Sequence, residues 1–342
     1  MEAIVQRGPE SVQIDEVERP PISDDQVRIR VRATTVCGSD VHAYLYEGGY
    51  EWVQLPRIMG HEYAGEIAEV GSAVTEFAPG DRVVENPTQK CGTCFQCRNE
   101  QSNVCQNFSV KGMHRDGSYA EYTAADADSL HRVPENVPLE HASITEPLSV
   151  ATRAVFSRSS VTPGDTVLVE GPGPIGALVA AVVDSMGGRV LVSGLERDEA
   201  YRLPLLEDLG IETAVMGDDF DAKTADLTGD VGFDVVFDTT GHHSGIEVAT
   251  ERVRKGGEIV VVGLPGHPSE LDMSTLVRGE VDVRTSYGSK WANFEQALSL
   301  MEERTIDPGA IIDDSYSMSD PEDAFSAFLA SQTCKPMFIP GK

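Results

Sequence analysis

The sequence predicts an α/β chain of two domains, one β-rich and one a doubly wound parallel sheet. Three observations carry that prediction. Strand-like alternation fills the first 150 residues, and strand and helix signals alternate after them. A glycine-rich turn, GPGPIG (171–176), then joins the first strand of the second part to its first helix. At 342 residues the chain is long enough for each domain to bury its own core.

In the first part VQIDEV, QVRIRVRAT, EYAGEIAEVG, GDRVVE and YAEYTAA are separated by Gly, Pro and Asp. That is the pattern of short strands joined by irregular loops. From about residue 151, TVLVEG (166–171) is an apolar run ending in glycine, and GPIGALVAAVVDSMG has helical apolar spacing. RVLVSG (189–194) is the next strand, and ERDEAYRLPLLEDLG reads as a charged helix. FDVVFDTTG (233–241) and GEIVVVGLPG (257–266) supply further buried strands. Near the end, NFEQALSLMEE predicts a helix, and CKPMFIPGK a closing strand that returns to the first domain.

Charge excludes several classes of partner. Fifty-six acidic residues against 27 basic ones leave a formal charge of −29, which repels nucleic acid and anionic membranes. No apolar run approaches the length of a membrane span, and MEAIVQRGPE does not read as a signal peptide. A cytoplasmic protein is expected.

Four of the six cysteines fall in CGTCFQCRNEQSNVC (91–105), as Cys91, Cys94, Cys97 and Cys105. A disulfide knot, an iron–sulfur cluster and a tetrahedral zinc site all accept such spacing. In the glycine loop, Gly171 suits the tight turn, Gly173 a close approach to pyrophosphate, and Gly176 close helix packing. Pro174 and Ile175 open the helix, whose free N–H groups and positive dipole end suit phosphate. At the tip of the second strand, where a carboxylate would hold the ribose of NAD, stands Gly194. Glycine leaves room for a 2′-phosphate, with Arg197 or Arg202 to neutralise it, so NADP is favoured over NAD; nearby Glu196 is the argument for NAD. VCGSDVHAY, MGHEYAG and ITEPLSVA supply Cys37, Ser39, Asp40, His42, His61, Glu62 and Glu146. Thiolate, imidazole and carboxylate together suit a Zn²⁺ that keeps one position open, although each residue alone has an ordinary structural role.

These motifs, with DGSYAEY (116–122), lie in an order that resembles the zinc-dependent medium-chain alcohol dehydrogenases, in the branch of sorbitol (polyol), threonine and sugar dehydrogenases. The resemblance covers essentially the whole chain. It implies a GroES-like catalytic domain over 1–151, with 291–342 returning to it, and a Rossmann domain for NAD(P) over 152–290. It implies two zinc ions per subunit. Cys37 and His61, with Glu62 and Glu146 as exchangeable carboxylates, would hold the catalytic one, and the four-cysteine loop the structural one. Asp40 would orient His61, and Ser39 and His42 would carry the proton of a secondary alcohol during hydride transfer. A homodimer or homotetramer is implied as well. The branch often has histidine where this chain has Arg153, which leaves the substrate open. Residues 43–57 offer Tyr44, Tyr46 and Trp52 as candidate substrate contacts. The rival readings are a zinc-free reductase of activated double bonds and a non-catalytic binding module; neither explains the retained metal ligands.

The dispersed acidic surface has 20 Arg against only 7 Lys, as expected of a salt-adapted protein whose self-repulsion bulk salt screens. The melting temperature should therefore rise markedly between dilute buffer and molar salt. A melting point independent of salt would exclude that reading.

Overall fold

A computed structural model describes residues 1–341. It divides into two compact units: 1–149 with 289–329 and the chain from 335 onward, and 150–288 with 330–334.

The first unit is built on strands β1 (Glu2–Gly8), β2 (Ser11–Glu16), β3 (Gln26–Thr35), β4 (Arg57–Ile58), β5 (Glu62–Val70), β6 (Arg82–Glu85), β7 (Thr88–Gln89), β8 (Ser109–Val110), β9 (Tyr122–Asp126) and β10 (Leu130–Arg132). β3 pairs antiparallel with β5, and β5 with β6, so Val27, Ile29, Val31, Ile67 and Val83 meet in one apolar core. β3 alternates as its sequence predicts: Val27, Ile29 and Val31 are buried, while Arg30 is exposed. A second core gathers Ile4, Val36, Tyr44, Met59, Tyr119, Phe325 and Phe338. Helix α1 (Gly38–Leu45) follows β3 directly, and α2 (Thr145–Thr152) crosses into the second unit.

The second unit carries β11 (Thr166–Glu170), β12 (Arg189–Gly194), β13 (Glu212–Val215), β14 (Phe233–Asp238), β15 (Val253–Val261) and β16 (Asp282–Thr285). All are parallel, in the order β13-β12-β11-β14-β15-β16, with the reversal of direction between β11 and β14. In such sheets ligands bind beyond the carboxyl ends of the strands, at that reversal. Helix α3 (Pro174–Ser185) leaves the glycine loop there. The charged stretch after β12 is only partly the expected helix. Glu196–Asp198 forms a 3₁₀ turn, because the Asp198 carboxylate accepts the N–H of Leu195, and α4 begins at Arg202 and runs to Asp208. The chain then returns to the first unit: β17 (Ile312–Tyr316) pairs parallel with β18 (Lys335–Phe338), and β18 pairs antiparallel with β3. Among the described residues no helix is long and apolar enough to cross a membrane.

One buried residue opposes this packing. Glu170, the last residue of β11, is 3% exposed, and neither carboxylate oxygen has a hydrogen-bond partner. Burial first and neighbouring Asp238 second push its pKa from 4.5 up to about 9, against a pull from Arg252. A carboxyl raised in the folded state costs stability progressively as pH climbs from about 4.5 to about 9, by at most about 1.4 kcal/mol per pH unit. Glu170→Gln should therefore melt higher than wild type at pH 8 and show a flatter profile between pH 5 and 9. Parallel profiles in a thermal scan would refute this.

Candidate active site

The loop between β7 and β8 brings its four sulfurs together with almost no core beneath them. Cys105 Sγ lies 3.5 Å from Cys91 Sγ and 3.8 Å from Cys94 Sγ. Disulfide sulfurs sit at roughly 2.05 Å, whereas four thiolates about 2.3 Å from one zinc are roughly 3.8 Å apart. Backbone N–H groups of Cys91, Cys94 and Asn107 also donate to these sulfurs. Such donors lower Cys91 to about 5, chiefly the N–H groups of Thr93 and Cys94, while burial and the neighbouring thiols push Cys97 up to about 12. Four sulfurs within 4.8 Å of one another, with N–H donors aimed at them, fit a closed tetrahedral zinc.

A second set forms where α1 and β5 begin. One ligand atom each of Cys37, His61 and Glu62 lies within 4.8 Å of the others. Cys37 is the residue before α1, and His61 and Glu62 enter β5, whose first residue pairs with Thr35 at the end of β3. Asp40, in the first turn of α1, is fully buried, with Oδ1 3.4 Å from His61 Nδ1. Its Oδ2 accepts from Tyr119 OH at 2.7 Å and from the Cys37 N–H at 3.1 Å. Burial alone would raise the Asp40 pKa; the charge of His61 and these donors win and lower it. Burial likewise works against His61, and Asp40 and Cys37 reverse it, raising the imidazole well above its usual value. Asp40 thus fixes the ring with Nε2 turned away from it, 3.5 Å from Ser39 Oγ.

The two candidate carboxylates differ. Glu62 is fully buried and already held: Lys335 Nζ donates to Oε1 at 2.7 Å and lies 2.5 Å from Oε2, and Thr35 Oγ1 donates to Oε2 at 2.6 Å. Glu146 stands on α2, and burial pushes its carboxyl up to about 7; His61 and Lys335 pull down on it, and Glu62 and Asp40 push up. Sequence reading missed Lys335, Thr35 and Tyr119. Their only signal lies in three-dimensional pairing, across a separation of 273 residues for Glu62 and Lys335.

Other expectations need correction. Tyr44 is a core residue, 8% exposed and stacked on Phe325 at 4.7 Å, and is not a surface contact. Tyr46 closes α1 in the left-handed conformation. Trp52, at 48% exposed, does face solvent, in a run of rings: His42 on Tyr50 at 5.9 Å, Tyr50 on Trp52 at 6.4 Å, and Trp52 on His114 at 4.4 Å.

In the second unit Gly171 has φ +95°, a conformation glycine adopts without strain. A Cβ on Gly176 would meet the Gly171 carbonyl oxygen at 1.9 Å, and Gly173 faces open space. The room expected at Gly194 is taken: a Cβ there would meet Leu203 Cδ2 at 2.9 Å. Arg202 is also spent, donating to the Thr333 carbonyl at 3.0 Å beside Asp198 at 3.8 Å. Arg197 and Glu196 remain exposed at the tip of β12.

A thiolate-imidazole-carboxylate set, a four-thiol loop and a six-stranded dinucleotide sheet together define a zinc-binding dehydrogenase. The family model for the alcohol dehydrogenase GroES-like domain matches residues 23–135, and that for zinc-binding dehydrogenases matches 174–303. A sorbitol dehydrogenase of Halalkalibacterium halodurans is 36% identical over 99% of both chains. A zinc-binding dehydrogenase of Sinorhizobium meliloti 1021 bound to NADP superposes with TM-score 0.90, at 26% identity over 99% of both chains. An alcohol dehydrogenase of E. coli CFT073 complexed with NADH gives 0.90 at 27% identity, again over 99% of both. The chain belongs to the zinc-dependent medium-chain alcohol and polyol dehydrogenase family, and it is an enzyme that oxidises alcohols with zinc and a nicotinamide cofactor.

Lys335→Met would leave Glu62 buried without its counter-charge, and should cost roughly 3–5 kcal/mol in denaturant unfolding. Thr35→Val should cost about 1 kcal/mol. Equal, small effects of the two would show that the ion pair is dispensable.

Proposed function

We propose that the enzyme oxidises a secondary alcohol of the polyol or sugar class and passes its hydride to NADP or NAD. The observation that carries this reading is the convergence of Cys37, His61 and Glu62 within ligand reach, with Ser39 beside the outward nitrogen of His61. Cys37 and His61 are assigned as constant ligands of a catalytic zinc. Glu146 is the readier carboxylate to exchange at that ion, since both oxygens of Glu62 are already bonded. Cys91, Cys94, Cys97 and Cys105 are assigned to a second, structural zinc. Once bound, zinc supplies the Lewis acidity that lowers a hydroxyl pKa, and nicotinamide the hydride acceptor.

The chain's own residues handle the proton. Ser39 receives it from the substrate hydroxyl. His42, three residues further along α1 and so on the same face, delivers it to the solvent that it meets. Asp40 and Tyr119 keep His61 in one orientation throughout. The exposed ring of Trp52, next to Tyr50, offers an apolar plate suited to the C–H faces of a polyol. The last residue of β12 is Gly194 and not a carboxylate, and exposed Arg197 supplies a cation beside it, which favours NADP; exposed Glu196 is the argument for NAD. Leu203 occupies the space behind Gly194, so the preference rests on Arg197 alone.

The test is turnover of zinc-loaded enzyme in molar salt across simple alcohols, polyols, aldoses, sugar acids and threonine, with each cofactor. Activity confined to polyols or sugars, and an NADP preference abolished by Arg197→Ala, are the expected results. Silence with polyols and sugars would overturn the substrate class. His42→Ala should slow turnover about tenfold or more with zinc content unchanged; loss of zinc in that variant would make His42 structural and the relay wrong.

A further inference from the structure

The arginine that follows the EPLSVA motif has no carboxylate partner among the described residues, in a chain with 56 acidic residues. Arg153 opens a π-helical turn, Arg153–Ser157, that continues α2. Arg158 is the residue that ends this turn, near enough for its charge to act on Arg153. Arg158 Nε donates to the carbonyl of Thr285, the last residue of β16, at 2.8 Å. Two residues further on, Ser160 donates through its N–H and its hydroxyl to Glu258, which is level with the first residue of β16. The turn thus runs over the sheet from the carboxyl ends of the strands, where open α/β sheets take their ligands, towards their amino ends. It also packs against α3, the helix that the glycine loop opens.

The electrostatics are unusual for this molecule. Among the described residues, Lys111, Arg202 and Lys335, cations whose side chains are 1%, 11% and 1% exposed, each stand beside a carboxylate. Arg153 does not. Its Nε is sealed from solvent without a hydrogen-bond acceptor, and the side chain is only partly exposed. Burial and then the like charge of Arg158 both oppose its ionisation. π-helical turns are costly and concentrate at functional sites. Two neighbouring guanidinium groups present planar forks of N–H donors, the geometry that receives phosphate oxygens. A dianion between them would satisfy the orphaned donor and cancel the repulsion together.

We propose that Arg153, with Arg158 beside it, forms an anion site of the nucleotide-binding unit that receives a phosphate group. The phosphate comes from one of two sources, the dinucleotide itself or a phosphate ester on the alcohol. The second source rests on the alcohol oxidation proposed above; the first does not.

Two measurements on the full chain test the site. In wild type, inorganic phosphate should slow modification of Arg153 by phenylglyoxal several-fold at constant ionic strength, read by peptide mass spectrometry. In Arg153→Gln, nicotinamide fluorescence gives the Kd of NADPH and NADH, and steady-state kinetics give KM for a polyol and for its phosphate ester. A roughly tenfold weaker dinucleotide, partly restored in Arg153→Lys, assigns the phosphate to the cofactor. An unchanged dinucleotide Kd with KM raised about tenfold for the phosphate ester alone assigns it to the substrate. A folded Arg153→Gln that moves neither constant overturns the proposal. If that variant does not fold, the wild-type labelling decides, and Arg153 labelling indifferent to phosphate and to NADPH overturns it. Labelling and cofactor binding need no turnover, so an inactive preparation would count against the alcohol reading and not against this site.

Discussion

The first unit is organised around one buried ion pair. Glu62 and Lys335 are each at most 1% exposed, and two charges taken so far from water are tolerable only with close partners. Thr35 supplies a further donor to Glu62, and the Val36 carbonyl accepts from Lys335 at 2.9 Å. The pair joins the first residue of β5 to the first residue of β18, and both contacts made to β3 and its end fall at residues 35 and 36, next to Cys37. The residues that converge as metal ligands are therefore held by a tether closed only when the last strand of the chain has been added. The fold must return its C-terminus to the first unit for the site to exist at all.

Behind that tether the geometry follows in a short chain of contacts. Tyr119 donates to Asp40, Asp40 faces Nδ1 of His61, and Nε2 is left for chemistry. Each member is deeply buried, so the Tyr119–Asp40 bond and the Asp40–His61 ion pair lie where a missing partner is costly. A ligand set on loop termini is usually loose. Here β3, α1 and β5 supply the rigidity, and the loop residues borrow it.

What the sequence made legible was what depends on spacing along the chain. The four cysteines fall within fifteen residues, and their sulfurs meet because the loop is short. The glycine loop likewise encodes its own turn and its own close contact at Gly176. Cys37, Ser39, Asp40 and His42 share one short helix and its cap, so their grouping needed no tertiary information. Lys335 and Tyr119 were illegible because only strand pairing brings them near Glu62 and Asp40. Gly194 misled for a different reason. A small residue at a strand tip is consistent with space for a ligand or with space already filled, and the neighbour that decides, Leu203, lies on the next helix. Tyr44 misled in the same way, since an aromatic on an amphipathic helix does not declare which face is covered until Phe325 arrives.

The scarcity of lysine acquires a structural meaning from the same contacts. The chain has only seven, and Lys111 and Lys335 are fully buried against Glu85 and Glu62. Surface lysines contribute little to stability through ion pairs, whereas a buried carboxylate without a cation is strongly destabilising. An acidic exterior can shed basic residues at small cost; these two interior positions cannot. Lys111 shows why replacement there would be severe. Its ammonium lies 3.0 Å from Glu85, whose other neighbours are the Tyr63 hydroxyl and Arg115, and it also donates to Thr123 and the Ala124 carbonyl. Two strands, β6 and β9, thus share one cation. The acidic character of this protein is a property of its surface, maintained over an interior in which Lys111 and Lys335 are matched by Glu85 and Glu62, whereas buried Glu170 and partly buried Arg153, both in the unit that carries the glycine loop, have no such partner among the described residues.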